Sequence, residues 1–233
     1  MTRDLPGDRE RVWDDRRLRS PHAQPDKAER VRAMFNAIAP TYELVNTVFS
    51  AGRDRAWRRK SVALTKPQPA DRVLDIACGT GDMVRAFQRA DSPPRRLVGC
   101  DFSAGMLSRA ADKSRGDLDW VQADALRLPF DSGSFTIISC AFGARNLQDL
   151  DAGLKEMHRV LQPGGRAVIL EFTRPANRCW RWLYEFYSSR IMPIGATLVA
   201  RDRSGAYRYL PRSVVSFGDA GDSARGLRTS MLA

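Results

Sequence analysis

The stretch Arg72-Val-Leu-Asp75-Ile-Ala-Cys-Gly79-Thr80-Gly81-Asp82 constrains this chain more than any other. An apolar run bounded by a charge on one side and glycines on the other reads as a buried strand entering a tight turn. The turn opens a helix from Asp82 to Gln88. Glycines at 79 and 81 let the backbone bend sharply and let a ligand approach it, as in a nucleotide-type site. Alone, Gly-x-Gly is a weak signal, because such loops also serve packing. A dinucleotide loop wants a third glycine beside the pyrophosphate, and Val84 stands in that place. The helix also begins on a carboxylate, Asp82, which suits the helix dipole and repels a phosphate.

Acids recur where a sheet would gather them. Asp75, Asp82, Asp101 and Asp124 fall at or just beyond expected strand ends, so in an open α/β sheet they would surround one crevice. Clustered carboxylates in a chain of formal charge +11 favour a cationic ligand. S-adenosylmethionine carries a sulfonium, an ammonium and a ribose diol, and no phosphate. Asp101 lies 20 residues after Gly81, where an acid accepts both ribose hydroxyls. Asp124-Ala125 follows the third strand and offers a carboxylate and a backbone N–H to an adenine edge. Asp75 and Asp82 taken singly read equally well as turn formers or helix caps, and Asp101 and Asp124 singly read more readily as strand-end turn residues; their conjunction favours the adenosyl reading.

Residues 1–27 mix charges of both signs with Pro6, Pro21 and Pro25 and are expected to form a solvated, disordered arm. Residues 28–66 form a helical cap: Val31, Met34, Phe35 and Ile38 recur at helical spacing, then Tyr42, Val45, Val48 and Phe49, then Trp57 with Val62 or Leu64. The cap either lies over the mouth of the site or covers a sheet edge. From 67 to 175 strand and helix alternate. Strands are expected at Arg72–Ile76, Arg96–Asp101, Leu118–Gln122, Phe135–Ala141 and Arg166–Glu171, with helices at Ala104–Arg115 and Asp149–Leu161. This is an α/β, Rossmann-like, doubly wound and mainly parallel sheet. Residues 176–217 are an aromatic-rich helical segment, and 218–233 carry no strand pattern.

With 233 residues the chain builds one core plus a cap. No apolar run approaches the roughly 20 residues of a membrane span, and no signal peptide is visible, so the expected setting is cytoplasmic. Cysteines 78, 100, 140 and 179 lack C-x-x-C spacing and only His22 and His158 are present, which argues against a metal site. The excess of arginine is spread along the chain and no nucleic-acid module is apparent, so no nucleic-acid partner is expected.

Further stretches carry a family resemblance. They are Tyr42-Glu-Leu-Val-Asn46 leading to Ser50 and Trp57, Phe142-Gly-Ala-Arg-Asn146, Arg159-Val-Leu-Gln-Pro-Gly-Gly-Arg-Ala-Val-Ile-Leu-Glu171-Phe-Thr173, and Tyr207-Arg-Tyr-Leu210. With the glycine loop they resemble the ubiquinone/menaquinone C-methyltransferase family of class I S-adenosylmethionine-dependent methyltransferases, over about residues 30 to 217. The resemblance implies that Thr80, Asp101 with Phe102 beside it, Asp124 and Ala125 contact the cofactor, with Asp75, Gly79, Gly81 and Asp82 shaping its methionine end. Ala141 stands where some members offer a serine, Glu43 where aspartate is common, and Asp54 where histidine is usual.

The implied reaction is carbon methylation of a polyprenylated quinol, a naphthoquinol or a methoxy-benzoquinol, without metal. Arg145 is expected to stabilise the phenolate or hold a water, helped by Asn146, with Tyr42 a further candidate. The rival reading of the Arg-Asn pair is a cap for the helix that follows. Trp180, Trp182, Leu183, Tyr184, Phe186, Tyr187, Ile191 and Met192, with Phe35, Ile38 and Phe49, would line a groove for the tail or simply pack on the sheet. The same aromatics and surrounding arginines suit transient contact with an anionic membrane at its inner face. The family continues past Phe217 with a helix and two more strands, so the fifth strand is expected as an open edge. A non-catalytic cofactor-binding remnant and a nicotinamide-dependent oxidoreductase are the alternatives.

Overall fold

The computed structural model describes residues 12–114, 118–173, 177–187 and 204–217, with single positions at 190, 192, 195 and 197. Five strands make one sheet: β1 (Arg72–Ile76), β2 (Arg96–Asp101), β3 (Asp119–Gln122), β4 (Phe135–Ala141) and β5 (Leu161–Leu170). Their order is β3-β2-β1-β4-β5 and every pairing is parallel. The order reverses between β1 and β4, and in such sheets the crevice for a ligand opens at the strand tips beside that reversal. β3 and β5 are the edges of the described sheet.

Helices α4 (Asp82–Gln88) and α5 (Ala104–Asp112) cover one face and α6 (Leu150–Val160) the other. β1 shows how the sequence serves both faces. Val73 packs in the α4 layer, while Leu74 and Ile76 join Leu154 and Met157 of α6. By the period of two, Asp75 shares the side of Val73, so a carboxylate is buried under the α4 layer. β5 starts at Leu161, five residues before the expected Arg166. Phe135 pairs with Leu161 and Ile137 with Arg166, so the extra residues Gln162 to Gly165 bulge from the ladder, with Gly164 at φ +74°.

The cap comprises α1 (Lys27–Ile38), α2 (Tyr42–Phe49), α3 (Arg53–Thr65) and α8 (Ala206–Phe217). The two expectations for it divide between helices: α1 and α2 face the mouth of the crevice, whereas α3 packs against β5 and α4. In α3 it is Val62 that is buried; Leu64 is 70% exposed.

The disordered-arm reading fails for residues 12–26. Trp13 is fully buried and stacks on Tyr209 with centroids 4.2 Å apart, and its backbone N–H donates to the Ser204 carbonyl at 3.1 Å. Leu18 is buried on the first of two 3-10 turns, Arg17–Arg19 and Pro21–Ala23. Two isolated apolar residues give no period, and their partners lie nearly the whole chain away. Residues 1–11 and the tail 218–233 lie outside the described residues.

Trp13→Ala should lower unfolding free energy by about 3–5 kcal/mol, the usual cost of emptying a buried aromatic site. Urea denaturation checks this, with Trp182→Ala, at a 68% exposed position, as the control that changes little.

Candidate active site

The crevice opens at the C-terminal tips of β1, β2 and β4. Ala77 and Gly79 come from the loop after β1, Asp101 and Phe102 from the end of β2, Asp124 and Ala125 from beyond β3, and Ala141 and Phe142 from β4. Phe35 of α1, Tyr42 of α2 and Asn146 close it from the cap side. The glycine loop is held tightly. Gly81 sits at φ +82°, and a Cβ there would meet the Trp120 ring at 2.4 Å, so no other residue fits without displacing the indole. Ala77 and Phe142 adopt φ of +53° and +61° at adjacent strand tips. Such conformations cost a non-glycine residue of order 1 kcal/mol or more and cluster at functional sites.

Asp101 is buried, and both of its oxygens are engaged. Oδ2 accepts the Gly79 N–H at 2.8 Å and Oδ1 the Ser103 N–H at 2.9 Å. Burial pushes its carboxyl up to about 6, against the lowering effect of those amides. At neutral pH it is therefore a carboxylate with lone pairs left for hydroxyl donors. Asp124 is exposed and accepts the Leu126 N–H at 2.9 Å in a local turn, while Ala125 beside it is a buried wall. Thr80 is 2% exposed and gives its proton to Glu43 Oε1 at 2.6 Å.

Asp75 lies within the sheet. Oδ1 accepts the Ser139 hydroxyl at 2.6 Å, and Oδ2 has no partner among the described residues. Burial drives its carboxyl up to about 7, with the Ser139 bond and the Arg58 charge opposing. The expectation that four acids share one crevice fails for Asp75, which does not line it, and for Asp82. Asp82 faces the groove between α3 and α4, pairs with Arg85 and stands 3.8 Å from Arg58. Nearby guanidinium groups satisfy this helix-start acid.

Arg145 does not line the crevice. Its Nη1 donates to Glu171 Oε1 at 2.5 Å and to the Phe142 carbonyl at 2.8 Å, and its Nε to Ser213 Oγ of α8 at 3.1 Å. Asn146 donates to the Phe142 carbonyl at 3.2 Å and accepts from the Tyr209 hydroxyl at 3.1 Å. The pair therefore braces the turn after β4 against β5 and α8. It does not cap α6, whose cap is Asp149 accepting from Ala152 N–H. Lys27 of α1, 3% exposed, supports the same turn by donating to the carbonyls of Arg145 and Leu147.

One residue escaped the sequence reading. Arg58 of α3 is 7% exposed, bonds Asp54 at 2.7 Å and lies with its guanidinium carbon 5.4 Å from the Phe142 centroid. Phe142 stacks on Phe172 at 4.5 Å, with Trp57 edge-on to both. The i, i+4 spacing of Asp54 and Arg58 was the available signal, and it reads as an ordinary surface pair. Helix α7 (Arg178–Phe186) brings a second correction. Trp182, Leu183 and Phe186 are exposed, and none of its described residues lines the crevice. Of the expected groove residues, Phe35 does line it, Ile38 belongs to the cap core, and Phe49 meets the Tyr187 hydroxyl through its carbonyl at 3.3 Å. Ile191 and the side chain of Trp180 lie outside what is described.

The buried Asp75 has a consequence for stability. A carboxyl raised from its unfolded value near 4 to about 7 opposes folding increasingly across that interval and fully above it. Asp75→Asn removes the charge but leaves a buried amide nitrogen unpaired. The variant should be about 1–2 kcal/mol more stable than the parent at pH 8 and lose that advantage towards pH 4, as read by urea unfolding at both pH values.

Comparison with known proteins agrees with this geometry. Residues 23–230 match the model of the ubiE/COQ5 methyltransferase family. The chain is 43% identical over 197 residues to the ubiquinone/menaquinone biosynthesis C-methyltransferase UbiE of Geobacter sulfurreducens, covering 82% of this chain and 76% of that one. It is 42% identical over 209 residues to the demethylmenaquinone methyltransferase of Deinococcus radiodurans, covering 88% and 86%. Among solved structures, an S-adenosylmethionine-dependent methyltransferase of Thermotoga maritima superposes with a TM-score of 0.60 over 85% of this chain and 79% of that one, at 16% identity, which speaks to the fold alone. A glycine loop closed by Asp101, an acid after each of the next two strands, and matches of this extent and identity place the chain in the ubiE/COQ5 methyltransferase family.

Proposed function

We propose that this protein transfers the methyl group of S-adenosylmethionine to a ring carbon of a polyprenylated quinol, with demethylmenaquinol as first candidate and the equivalent methoxy-benzoquinol as second. Asp101 carries the reading: a carboxylate fixed by two backbone amides at the tip of β2, facing a crevice that has no phosphate-binding third glycine. Asp101 would hold the ribose hydroxyls, Asp124 and Ala125 the adenine, and the loop from Gly79 to Gly81 the methionine end. Asp75, ionising as pH rises through about 7, adds negative potential beside that loop, which suits a cation. Bound there, the cofactor supplies a methyl made electrophilic by its sulfonium.

The chain's own work is positioning and electrostatics. Loss of a ring-hydroxyl proton to water would make the adjacent carbon nucleophilic, the hydrogen on that carbon would leave as a proton after methylation to restore the aromatic ring, and alignment within roughly 3–3.5 Å supplies much of the barrier reduction. Tyr42 lines the crevice, and burial keeps its hydroxyl protonated well past neutral pH despite the bond to Asn46 and the charges of Arg58 and Arg145. It therefore acts as a donor to the quinol oxygen and not as a base. Asn146 presents its amide from the same cap side, and Arg145, paired with Glu171, acts through it by holding the turn.

No helix among the described residues is long and apolar enough to cross a membrane. The exposed Trp182, Leu183 and Phe186 on α7 and the +11 formal charge support transient contact with an anionic bilayer from the cytoplasmic side, where the tailed substrate resides.

Incubation with S-adenosylmethionine and a short-tail demethylmenaquinol should yield a product heavier by one methylene by mass spectrometry. Cofactor binding without product would instead favour the non-catalytic remnant. Asp101→Asn should raise the cofactor KM roughly 10- to 100-fold, the worth of one or two charge-assisted hydrogen bonds. Because protonation removes that acceptor charge, the parent's cofactor KM should rise as pH falls through about 6, and the Asp101→Asn profile should be flat there.

A further inference from the structure

Helix α2 lies across the crevice, and one of its side chains ties it down. Glu43 Oε1 accepts the Thr80 hydroxyl at 2.6 Å and Arg85 Nη2 at 3.3 Å, and Lys113 Nζ meets the same oxygen. One carboxylate thus joins α2 to the glycine loop, to α4 and to the end of α5. Arg85 also donates to the Thr80 carbonyl at 2.9 Å, so the loop is held at both its hydroxyl and its backbone. Burial raises the Glu43 carboxyl, but Lys113, Thr80 and Arg85 together hold it below its ordinary range. Two details separate this cluster from an ordinary surface salt bridge, which contributes little. Three donors converge on a single oxygen, and one of them, Thr80, is 2% exposed and sits in the loop itself. Having given its only proton to Glu43, Thr80 Oγ1 can bond a further partner only as an acceptor.

We propose that Glu43 is a positioning residue for cofactor binding: its carboxylate latches α2 over the crevice and, through the Thr80 hydroxyl, fixes the glycine loop that borders it. The inference rests on the methyl-donor reading above and adds a residue that acts through Tyr42 and Thr80 without touching the reacting atoms. Tyr42 adjoins Glu43 on α2 and faces the crevice, so releasing the latch frees the lid and exposes the bound cofactor to solvent. The latch is made of charge, so it weakens as salt screens it.

Calorimetric titration of the full chain with S-adenosylmethionine, paired with hydrogen exchange of residues 42–49, tests the latch. Glu43→Gln should weaken cofactor binding roughly 5- to 10-fold, the scale of a partly exposed charge-assisted bond, speed exchange across 42–49 and leave the urea midpoint unchanged. Glu43→Asp, which keeps the charge, should stay within about 3-fold of the parent, and Lys113→Met should fall between the two. Added sodium chloride should weaken binding to the parent more than to Glu43→Gln. Parent-like affinity and exchange in Glu43→Gln would overturn the latch, as would a Glu43→Asp defect as large as that of Glu43→Gln. If the parent itself bound no S-adenosylmethionine while Glu43→Gln still loosened 42–49, the donor reading would fall and the lid contact would stand.

Discussion

The pair of backbone N–H groups that Asp101 accepts sets the geometry of this protein's site. A carboxylate buried at a strand tip would ordinarily be neutralised or expelled. Here one amide comes from the glycine loop after β1 and the other from the start of α5, so the charge is kept and two neighbouring connections are drawn to one point. Trp120 of β3 completes the arrangement from the far side. Its indole fills the space over Gly99 and Gly81, where an added Cβ would lie 2.3 and 2.4 Å from the ring. Loop, β2 and β3 therefore fit only in one relation, and the wall proposed to hold ribose and adenine is fixed by packing.

The opposite wall is built on a different principle. Phe142 takes a left-handed backbone at the end of β4, stacks on Phe172 and lies under the Arg58 guanidinium. Arg145 with Glu171, and Lys27 on the carbonyls of the following turn, hold that strained residue from below. Buried ion pairs are costly to form and costlier to break singly. Their value here is placement, since they fix a turn that carries Asn146 into the crevice.

Much of the sheet was legible in the sequence, because strand and helix periods are local properties. β1, β2 and β4 start and end where their apolar runs do, and the acids after β2 and β3 mark the crevice without further help. What escaped was decided by partners remote in the chain. Trp13 has no periodic neighbours, and its burial depends on Tyr209. Arg58 resembles any exposed helix pair until α4 and Phe142 close over it. Asp82 has the right position for the crevice, yet Arg85 one turn along turns it to the other side. The beginning of β5 was missed because Pro163-Gly164-Gly165 reads as a turn, while the ladder to β4 runs past it through a bulge.

The cap core brings Trp13 and Leu18 together with Tyr207, Tyr209 and Leu210, so its first and last members are separated by almost the full span of the described chain. During synthesis at roughly 5–20 residues per second, the sheet and its two layers emerge well before α8 does. The sheet can therefore assemble on the ribosome while the cap core still lacks Tyr207 and Tyr209, and the closed cap arises only after α8 has been released.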